Sequence, residues 1–410
     1  MSRDNERVRV LYSFPHKIGG LQIDAIAWHH VVSLAAAGAD VHVCPGAIKQ
    51  PLPTNVKVRP TLARGKLRIP YRLLGTMRAC ALHDWVVAHR LEKLAGQVDV
   101  VHTWPLGAVH TLNAAARLGI PTVLERCNAH TRYAYEVTQR ECERLGISAP
   151  PGYSHTYNGD VLRKEELEYQ LADRLLCPSD FVLRTFLDQG FPREKLARHQ
   201  YGFDEKTHYP SDKPRDPKRG LTVLFAGACT PRKGLHYALE AWLHSPASRD
   251  GRFLIVWQYL PGYPEKLSSL LAHPSIQVLG YRKDLPEVMR QSDVLVLSSV
   301  EEGSALVTSE ARGSGCVLLV SEASGAYCKH MENALVHAVG DVETLAQHFT
   351  MVHQDRALLE RLRAASLSTV HEITWGAAGP KLLNVYREII TAKHQQPRIA
   401  SETTRAGASE

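Results

Sequence analysis

Apolar residues in this chain fall in short, strand-length runs. Longer stretches with apolar positions three and four apart separate them. The first half reads as a strand at 8–12, a loop at 14–21 containing Gly19 and Gly20, a helix at 23–37 ended by Gly38, and a strand at 41–44. Strands at 98–102 and 122–125 follow, each running into a histidine-bearing loop. An acidic helix at 165–172 then leads to a strand at 173–177 and a helix capped by Ser179 or Asp180. The second half repeats the alternation. Strands are predicted at 221–226, 253–257, 276–279, 294–299 and 317–321, with helices at 235–243 and 285–291 and a helical stretch ended by Gly313 and Gly315. Helices at 342–353, 356–371 and 375–393 close the chain.

Strand–helix alternation of this kind predicts an α/β fold, and its two runs predict two doubly wound, Rossmann-like domains. Residues 210–220 are rich in Pro, Lys, Arg and Asp without apolar periodicity, which suits a linker. The expected organisation is a first domain at 1–209, the linker, a second domain at 221–374, a helix at 375–393 and a disordered polar tail at 394–410.

At 410 residues the chain is long enough for two or three cores. No apolar run reaches membrane-spanning length, and the charged, polar start does not read as a signal peptide. The eight cysteines show neither Cys-x-x-Cys nor a Cys/His metal spacing, so the expected home is the reducing cytoplasm. The formal charge of +7 favours anionic partners without naming one. No Asp-x-Asp occurs, no Gly-x-Gly-x-x-Gly follows a strand, and no nucleic-acid-binding motif is present.

Chemistry concentrates in residues 294–323. An apolar run is followed by Val300-Glu301-Glu302-Gly303-Ser304, then by a helix carrying Glu310, then by a second apolar run. The order is β-loop-α-β, with the loop at the carboxyl end of a strand, where open parallel sheets bind ligands. Gly303 and Ser304 are expected to open the helix and offer main-chain N–H groups to a phosphate. Glu302 and Glu310 can each accept two hydroxyl hydrogens, as from a sugar. A nucleotide diphospho-sugar has both features; solvated surface glutamates are the plainer reading.

Other candidates come earlier. Arg232 and Lys233 stand just before the helix at 235–243, where they suit a diphosphate, or form an ordinary basic cap. His102 and His130 follow strands of the first domain, and Gly19-Gly20 lies between a first strand and a first helix. The adjacent pair His29-His30 reads as packing or surface. Residues 56–95 are strongly basic: Lys57, Arg59, Arg64, Lys66, Arg68, Arg72, Arg78 and Arg90 stand against Asp84 and Glu92, interleaved with Leu67, Ile69, Tyr71, Leu73, Leu74 and Trp85. That segment is either a solvated basic face or an amphipathic edge for an anionic membrane or acceptor.

The stretch Glu302-x7-Glu310 resembles the signature of retaining glycosyltransferases of family 4, which have the GT-B fold. Residues 173–179 and 201–204 resemble two further stretches of that family in order and spacing. Residues 227–234 resemble its Gly-Arg-x4-Lys-Gly loop, with Ala228 in place of the first Arg and Arg232 as a substitute. Ala305 stands where many members carry a second Gly. The resemblance covers nearly the whole chain and is strongest over 221–325. It implies two Rossmann-like domains facing each other across a cleft, with the last helix crossing back to the first domain. It implies that Glu302 touches the transferred sugar, Glu310 holds the ribose, His130 faces the sugar across the cleft and Arg282 lies beside the base. Gly19, Gly20 and His102 are then acceptor-side, and the catalytic set is Glu302, His130, Arg232 and Lys233, with Gly303, Ser304, Glu310 and Arg282 binding the donor.

The expected reaction moves a sugar from a nucleotide diphospho-sugar to an acceptor hydroxyl with retention. No carboxylate of the first domain stands out as a nucleophile, so departure and attack on one face are expected. No cofactor and no metal are expected. The acceptor is a saccharide, a lipid-linked saccharide or a small molecule, and peripheral contact with the inner membrane face is an open expectation. Two rivals stand beside this reading: a GT-B sugar-nucleotide epimerase or phosphorylase, and a catalytically inactive glycosyltransferase-like binding protein.

Overall fold

The computed structural model describes residues 7–64, 67–68, 74–149, 153, 155–212 and 219–395, without side chains at 64, 67 and 68. Much of the expected linker, at 213–218, and of the tail, at 396–410, lies outside the described residues, as do Lys66, Ile69, Tyr71, Arg72 and Leu73.

Two parallel sheets organise the fold. The first contains β1 (Arg9–Ile18), β2 (Asp40–Ile48), β3 (Lys57–Val58), β4 (Val100–Thr103), β5 (Thr122–Glu125), β6 (Arg174–Cys177) and β7 (Leu196–Arg198), in the order β3-β2-β1-β4-β5-β6-β7. The second contains β8 (Thr222–Ala226), β9 (Arg252–Val256), β10 (Ile276–Gly280), β11 (Val294–Leu297), β12 (Val317–Ser321) and β13 (Ala334–His337), in the order β10-β9-β8-β11-β12-β13. In each, the chain starts in the interior, builds to one edge and returns to build to the other. That is the doubly wound topology, whose order reversal leaves a crevice at the carboxyl ends of the strands. Strands such as β8 and β12 are buried along their whole length, as parallel strands covered on both faces must be.

The structure extends the first strand. Residues 14–18, expected in a loop, continue β1, because β2 runs beside it as far as Ile48 after a register shift. Only the turn at 19–22 remains before α1 (Ile23–Ala36). Further helices of the first lobe are α2 (Thr76–Lys93), α3 (Val109–Leu118), α4 (Thr131–Arg144), α5 (Gly159–Leu171) and α6 (Asp180–Asp188). The second lobe adds α7 (Leu235–His244), α8 (Leu285–Gln291), α9 (Leu306–Gly313), α10 (Val342–Gln354) and α11 (Arg356–Ser368).

The last helix, α12 (Trp375–Gln395), belongs to the first lobe by packing. Its Trp375, Leu382, Leu383, Tyr386 and Ile389 join Ile26, Val31 and Leu34 of α1 in one buried core. Each such side chain contributes about 1.5–3 kcal/mol when fully buried. The chain therefore passes between lobes twice, and the two passages touch. Phe203 N–H donates to Ile373 O at 3.2 Å, and Trp375 N–H donates to Phe203 O at 3.3 Å. Gly202 permits this contact: a Cβ there would stand 2.4 Å from the Trp375 nitrogen.

Candidate active site in the cleft

The loops at the carboxyl ends of β5 and β11 meet across the crevice. Gly303 lies against the loop after β5 so closely that a Cβ would stand 1.8 Å from Cys127 O. Its carbonyl accepts from Ser179 Oγ at 2.5 Å, and the same hydroxyl accepts from Val182 N–H as the cap of α6. This corrects one expectation. Gly303 and Ser304 do not open the helix, because residues 301–303 are clasped by the other lobe; α9 begins at Leu306 with Ala305 as its cap. The glycine serves contact between lobes.

Behind that loop sits a buried cluster of charge. Lys233 Nζ pairs with Glu302 Oε1, and Arg232 Nη1 lies 3.3 Å from Glu302 Oε2 and 3.1 Å from Glu301 Oε2. Ser299 Oγ donates to Glu302 Oε1 at 3.3 Å. Burial alone would push Glu302 upward, but Arg232 and Lys233 beside it hold its carboxyl down at about 2. Burial pushes Lys233 down from its ordinary value against the pull of Glu302. His155, from the first lobe, is lowered to about 3 by burial and by Arg232. Two cations and two carboxylates thus share one desolvated site, and neither cation waits free for a phosphate.

Glu310 lies half-buried in α9, where burial pushes it up to about 7 without any charged neighbour to offset it. Arg282 is exposed after β10 and held in a fork by Asp284 at 2.8 and 2.6 Å, so the structure does not bring it together with the buried cluster. Sequence reasoning missed its aromatic neighbours. Trp257 follows β9 directly with φ at 133°, a conformation rare for a bulky residue, and its ring meets Tyr281 edge-on at 5.2 Å. Backbone strain of this kind collects at functional sites. The available signal was an aromatic residue closing an apolar strand.

His130 is buried. Its Nδ1 accepts from Arg132 N–H at 3.3 Å as the cap of α4, and its ring packs against Tyr169, Phe186 and Phe191 at 5.0–5.7 Å. Burial among these rings lowers it to about 3, so it is neutral. Its neighbour Ala129 does reach across the cleft, its N–H donating to Glu301 Oε1 at 3.0 Å.

His102 is corrected from the acceptor side to the core. It is fully buried, stacks on Tyr12, and bonds Tyr386 of α12 through Nδ1 at 2.7 Å. The end of β4 faces α1 and α12 here rather than the cleft. Around it lies a buried network centred on Glu125, which accepts from Tyr201 at 2.8 Å and bonds His199 at 2.9 Å. Burial pushes Glu125 up, yet His199, His30 and His102 draw it down to about 2. Among the described residues, His30, Glu125 and His199 form the one group close enough to hold a metal ion, with ligand atoms within 4.8 Å of one another. Two of these ligands already bond each other, and the group lies in the core away from the charged cluster. His29 stacks on Trp375 at 4.5 Å, a packing role.

Gly19 and Gly20 border a groove of about 340 Å³ lined by His16, Lys17, Leu21, Gln22, Ile23 and Asp24. Asp24 is raised to about 6 by burial, with Lys49 and Lys17 opposing. The basic segment is partly engaged within the protein. Arg90 donates to the carbonyls of Arg59 and Pro60, and Lys57 pairs with Asp40 at 3.0 Å. Asp84 accepts the first N–H groups of α3 from His110 and Thr111. Trp85 remains half exposed on α2.

Two doubly wound lobes facing each other across a charged crevice form the GT-B fold. Structural comparison agrees: Anabaena HepE, crystallised in complex with UDP, matches with a TM-score of 0.62 at 15% identity over 93% of this chain and 100% of that one. Residues 25–206 match the family Glycosyltransferase Family 4, and residues 220–355 match Glycosyl transferases group 1. Among curated proteins, an Escherichia coli UDP-Gal:alpha-D-GlcNAc-diphosphoundecaprenol alpha-1,3-galactosyltransferase is 31% identical over 277 residues, 63% of this chain and 67% of that protein. A GDP-mannose-dependent alpha-mannosyltransferase of Mycobacterium tuberculosis is 26% identical over 288 residues, 61% of this chain and 68% of that protein. The chain belongs to glycosyltransferase family 4. It is an enzyme that transfers a sugar from a nucleotide sugar, with the retention of configuration that goes with that family. Among the described residues, no helix is long and apolar enough to cross a membrane.

Proposed function

We propose that the charged cluster is the donor site for a nucleotide diphospho-hexose. The observation that carries this reading is the mutual neutralisation of Arg232 and Lys233 by Glu301 and Glu302 inside a buried crevice. Four buried charges are costly to assemble for stability alone, and a functional site repays that cost. An arriving diphosphate offers the two cations a doubly charged partner with matching geometry. It displaces Glu302 from Lys233, and the freed carboxylate turns to the sugar hydroxyls. Glu310 takes the ribose hydroxyls, and Trp257 with Tyr281 offers the base an aromatic face.

The chemistry follows from that charge balance. Arg232 and Lys233 stabilise the negative charge that grows on the departing diphosphate, which removes the need for a metal. Departure and attack on one face let a diphosphate oxygen take the acceptor's proton, and the sugar keeps its configuration. Closure of the lobes excludes water as a competing acceptor. The touching crossings at 203 and 373–375 are the hinges of that motion. The acceptor is a saccharide or lipid-linked saccharide bound beside Gly19, Gly20 and Asp24, in keeping with the diphosphoundecaprenol named for the Escherichia coli relative. Exposed Trp85 on the basic first lobe supports peripheral contact with an anionic membrane in the cytoplasm.

The test is a thermal-shift panel of nucleotides and nucleotide sugars, followed by turnover. A bound donor at a hundred times its dissociation constant stabilises by roughly 2.7 kcal/mol. Glu302→Gln is expected to lower turnover on the order of 10²-fold while nucleoside diphosphate still binds. Stabilisation by no nucleotide, or full turnover in Glu302→Gln, would remove this assignment.

A further inference from the structure

Glu301 and Glu302 stand side by side, and the family signature uses only the second. The first is the more deeply buried, at 0% exposure against 6%. It is also the better connected. Its Oε1 accepts the Ala129 N–H at 3.0 Å, a main-chain group of the opposite lobe. Its Oε2 stands 3.1 Å from Arg232 Nη1, and that same nitrogen donates to the Glu301 carbonyl at 2.8 Å. One side chain therefore links the main chain of the first lobe to an arginine of the second. The second lobe has its own tie here, since Val300 N–H donates to Arg232 O at 2.9 Å. The carboxylate is thus not required to hold the arginine's backbone.

We propose that Glu301 is a positioning residue that couples closure of the cleft to the reach of Arg232. With the lobes together, Ala129 occupies one carboxylate oxygen. The other oxygen then touches the guanidinium at a single nitrogen, and Arg232 Nε is buried without a hydrogen-bond acceptor. Once an arriving diphosphate displaces Glu302, whose Oε2 stands 3.3 Å from the same nitrogen, the guanidinium's other donors are left to the phosphate. With the lobes apart, the Ala129 N–H is gone and both oxygens of Glu301 turn to the guanidinium as a fork, the preferred arrangement of such a pair. The arginine is then withdrawn from the donor. Closure completes the phosphate clamp at the moment the acceptor and donor are enclosed together. The inference rests on the reading of Arg232 as a diphosphate ligand.

A double-mutant cycle tests it, using UDP and GDP for binding and UDP-galactose and GDP-mannose for turnover. Glu301→Gln keeps an oxygen for Ala129 but loses the charge that seats Arg232. The expected result is a fall in kcat of about ten- to hundredfold, the cost of one hydrogen bond to a charged group, with nucleoside diphosphate affinity changed by less than about threefold. In an Arg232→Ala background the same substitution is expected to cost less than about twofold, because its target is gone. Glu301→Asp, which keeps the charge but is too short to span both partners, is expected to lose kcat as Glu301→Gln does, and it serves if the amide variant fails to fold. A wild-type kcat in both variants, or an undiminished loss in the Arg232→Ala background, overturns the coupling. Parallel loss of melting temperature, binding and kcat assigns Glu301 to the fold and overturns it too. Failure of the wild-type protein to bind either nucleotide overturns the donor-site reading itself, a distinguishable outcome.

Discussion

The nucleotide site can be read through pH, because burial raises Glu310 with no cation beside it, whereas Glu301, which burial also raises, is opposed by Arg232. Burial pushes it up to about 7, against an ordinary 4.5, and no cation counteracts that. A ribose brought to it donates hydroxyl hydrogens, which favours the carboxylate form. The bound group then titrates lower, in the limit near 4.5. The sign follows from linkage: the ligand prefers the ionised group, so affinity is complete above pH 7 and is lost as pH falls through that value. With the free group at about 7 and the bound group near 4.5, affinity falls about tenfold by pH 6 and on the order of 80-fold by pH 5. The assay is calorimetric titration with uridine and guanosine from pH 5 to pH 8. These ligands have no phosphate, so nothing on them titrates in this window. Glu302, held at about 2, and His155, at about 3, are silent there as well. Asp24, raised to about 6, does titrate but lies in the other lobe. Glu310→Gln separates the two and is expected to flatten the profile. Affinity independent of pH, or a slope that survives in Glu310→Gln, refutes the ribose assignment.

Three further outcomes are expected. Lys233→Met should weaken UDP or GDP binding about ten- to hundredfold while nucleoside binding changes little; equal losses in both would make the loop structural. Turnover should persist in EDTA, and complete loss restored by Mg²⁺ or Mn²⁺ would contradict the charge assignment. His130→Ala should lower stability by about 0.5–2 kcal/mol through loss of the α4 cap, and His130→Asn, which can cap, should recover it. Recovery of turnover along with stability would make His130 a structural residue; turnover lost in both variants would place its ring against the donor.

The sequence carried the fold because each strand and helix announces itself locally. The order of the β11–α9–β12 unit is read from its two apolar runs and the glycines that end its helix, none of which depends on a distant partner. Pairings across the cleft leave no such trace. Nothing in the run of residues 126–130 says that Ala129 will meet Glu301, or that Gly303 will press on Cys127. The histidines mislead for a related reason. A histidine at a strand end faces either the cleft or the core, and His102, inside β4, is turned to the core by its packing on Tyr12 and its bond to Tyr386 of α12. The extension of β1 to Ile18 likewise depends on the length of its neighbour β2.

The contact between the two crossings has a consequence for synthesis. Residues 203 and 373–375 lie side by side, so everything between them is, in topology, an insertion into the first lobe. The ribosome completes that insertion before it delivers α12, whose side chains finish the core around α1. The lobe made first is therefore finished last. Until residue 389 emerges, the side of α1 that α12 covers is open to solvent, and the nascent chain offers it to chaperones or to a neighbouring chain.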